Sequence, residues 1–210
     1  GGTGSGKSTV VNLIPRFYDA SAGQVCFFGQ DVRKYRRKEL RDQIGIVPQK
    51  AVLFAGTVRE NMQWGKKDAT DEEIWEALKT AQAEEFIRAK EGGLDANIEQ
   101  GGRNLSGGQR QRLTIARALV KKPRVLILDD SASALDYATD AALRKAIRQM
   151  EGAPTVFIVS QRTSSLMSAD RILVLDDGEA TGYGTHEELL KNCQTYREIY
   201  NSQYGKKEEA

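Results

Sequence analysis

The first nine residues carry the densest chemistry in the chain. Gly1-Gly2-Thr3-Gly4-Ser5-Gly6-Lys7-Ser8 satisfies G-x-x-x-x-G-K-[ST] in full, with Thr9 following. Triphosphate carries several negative charges, and glycines let successive backbone N–H groups curl inward around them. A helix starting near Gly6, continued by Val10, Val11, Leu13 and Ile14, would add its positive N-terminal end. Lys7 then supplies a point charge to the β- and γ-phosphates, and the Ser8 hydroxyl is the expected Mg²⁺ ligand. A plain Gly/Ser turn that happens to carry a lysine is the bland alternative, but it does not call for the helix that follows. Such a loop ordinarily follows a buried strand, so that strand is expected upstream of Gly1.

A second cluster of acids ends an apolar run. Val125-Leu126-Ile127-Leu128 leads into Asp129 and Asp130. Asp129 is placed to hold Mg²⁺ across the phosphates from Ser8, and Asp130 lies one residue nearer the attacking water. A strand end followed by an acidic helix cap would also explain the pair, since Ser131 and Ser133 suit caps. Between the two clusters, Leu105-Ser106-Gly107-Gly108-Gln109 opens a helix running to about Val120. Ser106-x-x-Gln109 is a capping box. Two glycines inside the first turn weaken a helix, and they suit an N-terminus whose backbone approaches an anion closely.

The elements that must position these residues alternate between two periods. Val25–Phe28, Ile44–Val47, Val125–Leu128, Thr155–Val159 and Ile172–Leu175 predict short buried strands. Thr70 with Glu73 predicts a capped helix presenting Ile74, Leu78 and Ala81 on one face, and Ala138–Met150 a second helix. Asp177-Gly178 predicts a tight turn with Glu179–Gly182 returning as a hairpin strand. Residues 57–104 show no convincing strand, and Gly205–Ala210 should fray. The fold class is α/β: a phosphate-loop core with an inserted helical lobe at about residues 57–120. The 210 residues suffice for one domain, and a net charge of +2 argues against a nucleic-acid partner. Cys26 and Cys193 are too far apart for a metal site or a disulfide framework, which fits a reducing cytosol.

Taken together, these motifs resemble the ATP-binding cassette (ABC) family along essentially the whole chain. Gly1–Ser8 is similar to the family's Walker A loop, Gln49 to the Q-loop, Leu105–Gln109 to the LSGGQ signature and Asp129 to the Walker B aspartate. Ser133-Ala134-Leu135-Asp136 looks like the D-loop, while Phe54–Asn61 and Gly184–Leu189 look like exporter-type domains. The resemblance implies that ATP and Mg²⁺ are bound, with Ser8, Gln49 and Asp129 as metal ligands. It also implies a head-to-tail dimer in which the signature completes a partner's site in trans. Transmembrane domains are expected upstream in the same chain, and the domain is expected at the cytoplasmic face of the membrane.

Three features depart from the family pattern. Asp130 stands where the catalytic glutamate is expected, and Gln161 stands where the switch histidine is expected. The aromatic that stacks on adenine belongs upstream of Gly1. His186, the single histidine, reads as a surface or capping residue. These replacements weaken the alignment and deprotonation of water at this chain's own site while leaving the signature intact. The pattern looks like one half of a heterodimeric exporter with a non-identical second subunit. Two alternatives are a module that holds ATP without meaningful hydrolysis and a chromosome-maintenance or DNA-repair ATPase. Only about 120 residues separate Lys7 from Asp129, without heptads, which leaves no room for the long coiled coil of the latter.

Overall fold

The computed structural model describes residues 4–131 and 133–204. Gly1, Gly2 and Thr3 of the glycine-rich loop, and the tail Gly205–Ala210, lie outside the described residues. In chain order the helices are α1 (Lys7–Asn12), α2 (Arg37–Asp42), α3 (Val58–Gln63), α4 (Asp71–Thr80), α5 (Glu84–Arg88), α6 (Gly107–Leu119), α7 (Tyr137–Arg148), α8 (His186–Asn192) and α9 (Gln194–Tyr204). The strands are β1 (Cys26–Phe27), β2 (Gln30–Asp31), β3 (Ile44–Val47), β4 (Gly56–Thr57), β5 (Asn97–Ile98), β6 (Val125–Asp129), β7 (Thr155–Val159), β8 (Ile172–Asp176) and β9 (Glu179–Gly184). The chain divides into two compact units, residues 34–157 and residues 1–33 with 158–210.

In the unit 34–157, β3 and β6 pair in parallel, with Ile44 opposite Val125 and Val47 opposite Leu128. The sheet has the order β3-β6-β7. A parallel strand covered on both faces needs a nearly continuous apolar run, and Val125–Leu128 is buried throughout. Helix α6 buries Leu113, Ile115, Ala116 and Leu119, and α4 packs on it with Ile74, Ala77 and Leu78. Close packing needs a glycine on the sheet: a Cβ at Gly45 would sit 2.9 Å from the Ala118 carbonyl oxygen. The absence of a strand in 57–104 is corrected by a two-residue antiparallel ladder, Gly56 with Ile98 and Thr57 with Asn97. So short a ladder leaves no periodicity to detect in sequence.

That ladder sits beside a buried polar staple. Asn61, 1% exposed, accepts at Oδ1 from the Phe54 amide at 2.9 Å. Its Nδ2 donates to the carbonyls of Phe54 at 2.9 Å and Thr57 at 3.0 Å. The exporter-like segment Phe54–Asn61 is thus stapled by its own last residue. Thr57 and Glu60 add a capping box that opens α3.

In the other unit, two hairpins turn through paired left-handed residues. Phe28 and Gly29 have φ of 46° and 83°, and Asp177 and Gly178 have φ of 45° and 80°. Positive φ at both central residues is the geometry that matches strand twist in a two-residue loop. The return strand after Asp177-Gly178 runs to Gly184, two residues past its expected end. Helix α1 ends at Asn12, short of Ile14, because Pro15 offers no N–H and Arg16 turns left-handed at φ 57°. Ile172, Val174, Leu189, Cys193 and Tyr196 form this unit's core. His186 is corrected as well: Thr185 is the cap of α8, and the half-buried His186 ring hydrogen-bonds through Nδ1 to the Tyr196 hydroxyl at 2.8 Å. Burial raises the Tyr196 pKa above its ordinary value, so the phenol stays protonated at neutral pH.

Asn61→Ala removes all three bonds of a buried amide and leaves the amide and carbonyl of Phe54 without that partner. We expect a loss of about 2–3 kcal/mol in urea unfolding. A loss below roughly 0.5 kcal/mol would show that water replaces the amide.

Candidate functional site

The residues with chemical potential divide between the two units. Ser5, Gly6, Lys7, Ser8 and Gln161 belong to one, and Gln49, Ser106–Gln109, Asp129, Asp130 and Asp136 to the other. In the glycine-rich loop, Gly4 and Gly6 adopt φ of 82° and 89°, a region that L side chains rarely enter. Gly6 is the N-cap of α1. Lys7 Nζ donates to the Oγ of buried Ser5 at 3.1 Å, which turns the ammonium back along the loop. Ser8 and Thr9 are exposed in the first turn.

The register of β3 and β6 determines the second cluster. Val47 lies opposite Leu128, so two further residues on each strand bring Gln49 beside Asp130. Gln49 Nε2 donates to Asp130 Oδ2 at 3.3 Å, across a separation of 81 residues. Asp129 closes β6, half-buried, while Asp130 turns left-handed at φ 47°. A non-glycine residue in that region is strained by about 1–3 kcal/mol, and such strain gathers at functional sites. The turn frees the Asp130 side chain from the strand's alternation and aims it at Gln49.

The third cluster lies at the start of α6. Ser106 Oγ accepts from the Gln109 amide at 3.2 Å, and Gln109 Oε1 accepts from the Ser106 amide at 3.0 Å. The expected capping box is formed in full. Arg110, not anticipated from the sequence, donates to the Leu105 carbonyl at 2.6 Å and steadies the approach to the helix. The two glycines differ in their surroundings. A Cβ at Gly107 would meet nothing closer than an Arg110 nitrogen at 3.8 Å, whereas one at Gly108 would lie 3.2 Å from the Ala134 carbonyl oxygen. Gly108 therefore lets the helix start lie against the Ser133–Asp136 loop of its own chain. Asp136 ends that loop and caps α7, accepting from the Thr139 amide at 2.9 Å and the Thr139 hydroxyl at 2.8 Å. Those two bonds hold its carboxyl below the usual carboxylate range.

Gln161 follows β7 in an exposed loop. Its carbonyl accepts from Gln203 Nε2 at 2.7 Å, and Gln203 Oε1 accepts from the amide and hydroxyl of Thr163 at 2.9 and 2.8 Å. Gln203 lies in the last turn of α9, forty-two residues on, and no local pattern marks it.

A glycine-rich phosphate loop ahead of a helix, with carboxylates at the end of a parallel strand, defines a P-loop nucleotide-binding domain. The ABC transporter family model matches residues 1–133, and the chain belongs to that family as an ATP-binding domain. An ABC transporter ATP-binding protein of Mycobacterium tuberculosis is 48% identical over 206 residues, covering 97% of this chain and 35% of that protein. A putative multidrug export ATP-binding/permease protein of Bacillus subtilis is 43% identical over 203 residues, covering 97% of this chain and 35% of that protein. The chain thus spans about a third of the length of the curated relatives it matches. Among solved structures, a bacterial Atm1-family ABC exporter with ATP bound matches with a TM-score of 0.90 and 37% identity, covering 96% of this chain and 36% of that one. Among the described residues, no helix is long and apolar enough to cross a membrane.

The depressed Asp136 carboxyl gives a pH test with a definite sign. Its stabilisation is fully present above the unfolded value of about 3.9 and is lost as pH falls through the lower folded value. The stability difference between wild type and Asp136→Asn should therefore hold constant above about pH 5 and shrink on acidification below about pH 4. Urea melts across that range would contradict the cap geometry if the difference instead grew.

Proposed function

We propose that this chain is the ATP-hydrolysing domain of an exporter-type ABC transporter, and that its own site turns over slowly. The single observation carrying the slow-site reading is the Gln49–Asp130 contact: the carboxylate beside the Q-loop is an aspartate. Aspartate is one methylene shorter than glutamate. Its carboxylate falls about 1 Å short of a water placed for glutamate, a misplacement that can cost on the order of a hundredfold. Gln161 can donate a hydrogen bond to a γ-phosphate, but it cannot carry the charge or exchange the proton that imidazole can.

ATP lies in the loop Gly1–Ser8, with Lys7 balancing the β- and γ-phosphates and Thr9 beside Ser8. The hydroxyl of Ser8, the amide oxygen of Gln49 and the carboxylate of Asp129 are hard oxygen donors, the set that suits Mg²⁺. Held by these residues, the cation would supply positive charge against the charge that develops on the phosphates. Asp130 orients and polarises water, and Gln161 holds the γ-phosphate.

Leu105–Gln109 acts in trans: the exposed start of α6 faces the nucleotide of a second, non-identical ATP-binding subunit. Asp136 links that interface to α7 through the same loop that Gly108 touches. Residues 57–120 form the helical subdomain that carries the signature. ATP-driven closure of this dimer moves transmembrane domains, which places the domain at the cytoplasmic face of the membrane. The exporter-like segment Phe54–Asn61 and the exporter names among the relatives support this reading.

Lys7→Ala should weaken binding of a fluorescent ATP analogue by about tenfold or more, since it deletes a charge-assisted contact. Unchanged affinity would remove Lys7 from the site. Asp130→Glu with Gln161→His should raise single-site turnover roughly a hundredfold when the second subunit's site is silenced. Rapid turnover at the wild-type site, traced to this chain's own nucleotide, would refute the slow-site proposal.

A further inference from the structure

We infer that Gln203, at the end of α9, is a positioning residue that sets the Gln161 loop for contact with the γ-phosphate. The inference rests on the proposed role of Gln161 and extends it to a residue in the last helical turn. One side chain makes three bonds: Nε2 donates to the Gln161 carbonyl at 2.7 Å, and Oε1 accepts from the Thr163 amide at 2.9 Å and the Thr163 hydroxyl at 2.8 Å. Both polarities of the amide are used, so the loop is gripped on either side of Arg162.

The partners differ in burial, which assigns a direction to the staple. Thr163 is 2% exposed and anchored, whereas Gln161 is exposed. Around them, the Arg162 amide donates to the Ser160 hydroxyl at 3.0 Å, and Thr163–Ser165 forms a short 3₁₀ turn. These local bonds shape the turn after Gln161. The Gln203 bond holds the carbonyl of the Gln161 peptide itself. A loop residue that must meet a phosphate oxygen within a few tenths of an ångström benefits from such restraint, because unrestrained φ and ψ carry an entropic cost at binding. Helix α9 is held in turn by packing: Tyr196 lies in the unit's core, and the His186 ring of α8 lies against Tyr196 and Tyr200 at ring-centroid distances of 5.7 and 5.4 Å. The orientation of Gln161 thereby depends on whether the C-terminal helix is docked.

The test compares a triphosphate with a diphosphate, because only the former offers a γ-phosphate. Binding of non-hydrolysable ATP analogue and of ADP is measured in the full transporter, with the second subunit's phosphate-loop lysine replaced by alanine. Gln203→Ala should weaken the triphosphate analogue roughly threefold to tenfold, the worth of one hydrogen bond, and leave ADP unchanged. Gln203→Glu keeps an acceptor for Thr163 but cannot donate to the Gln161 carbonyl, so it should show the same selective loss even if the alanine variant folds poorly. Gln161→Ala should show it too, and adding Gln203→Ala to Gln161→Ala should change nothing more, since one residue acts through the other. Equal loss for ADP and the triphosphate analogue in the Gln203 variants would reduce the staple to a structural role and overturn the inference. Selective loss in Gln161→Ala alone would also overturn it, leaving the role of Gln161 intact. No selective loss in Gln161→Ala would overturn both.

Discussion

The parallel pairing of Ile44–Val47 with Val125–Leu128 decides where the polar residues beyond their carboxyl ends emerge. The strands are held by burial, which is nondirectional, but their side chains alternate with a fixed period. Slipping the register by one residue would turn every apolar side chain to the wrong face. Register is therefore fixed by the core, and Gln49 and Asp130 inherit it two residues later. The candidate chemistry depends on packing energy supplied by residues that touch no ligand.

Close approach is the second constraint, and glycine is the residue that permits it. Gly45 brings α6 against the sheet, and Gly108 brings the start of α6 against the Ser133–Asp136 loop. In the other unit, a Cβ at Gly182 would lie 2.8 Å from Cys193 Sγ, so a glycine there lets α8 and α9 settle on β9. Interiors are packed too densely to absorb even one added carbon without movement. At Gly108 this gives a residue two reasons to be small: its own chain's loop and the anion proposed beside it.

Segments with little or no sheet pairing need side chains to close them. Asn61 and Gln203 do this alike, each using both the carbonyl and the amino group of one amide. A planar amide can donate and accept at once, which a carboxylate or an ammonium cannot. One staple is buried and supports the loop Phe54–Thr57; the other is exposed and restrains Gln161. Burial makes the first a matter of stability, while exposure leaves the second open to conformational control.

The sequence by itself determined the start of the helix after Gly6, the capping boxes at Thr70 and Ser106, the turn at Asp177-Gly178 and the longer apolar strands. Each is written within a few neighbouring residues, where backbone hydrogen bonding and side-chain periodicity leave a local pattern. The sequence could not show that Gln49 donates to Asp130, that Gly108 meets Ala134, or that Gln203 grips Gln161. The two-residue ladder of β4 and β5 and the bond from His186 to Tyr196 were equally hidden. Tertiary structure decided these because the first three pair residues with no common local period, and the ladder is too short to have one. Most of the groups involved lie far apart along the chain and meet only after apolar burial has fixed the register of strands and the seating of helices.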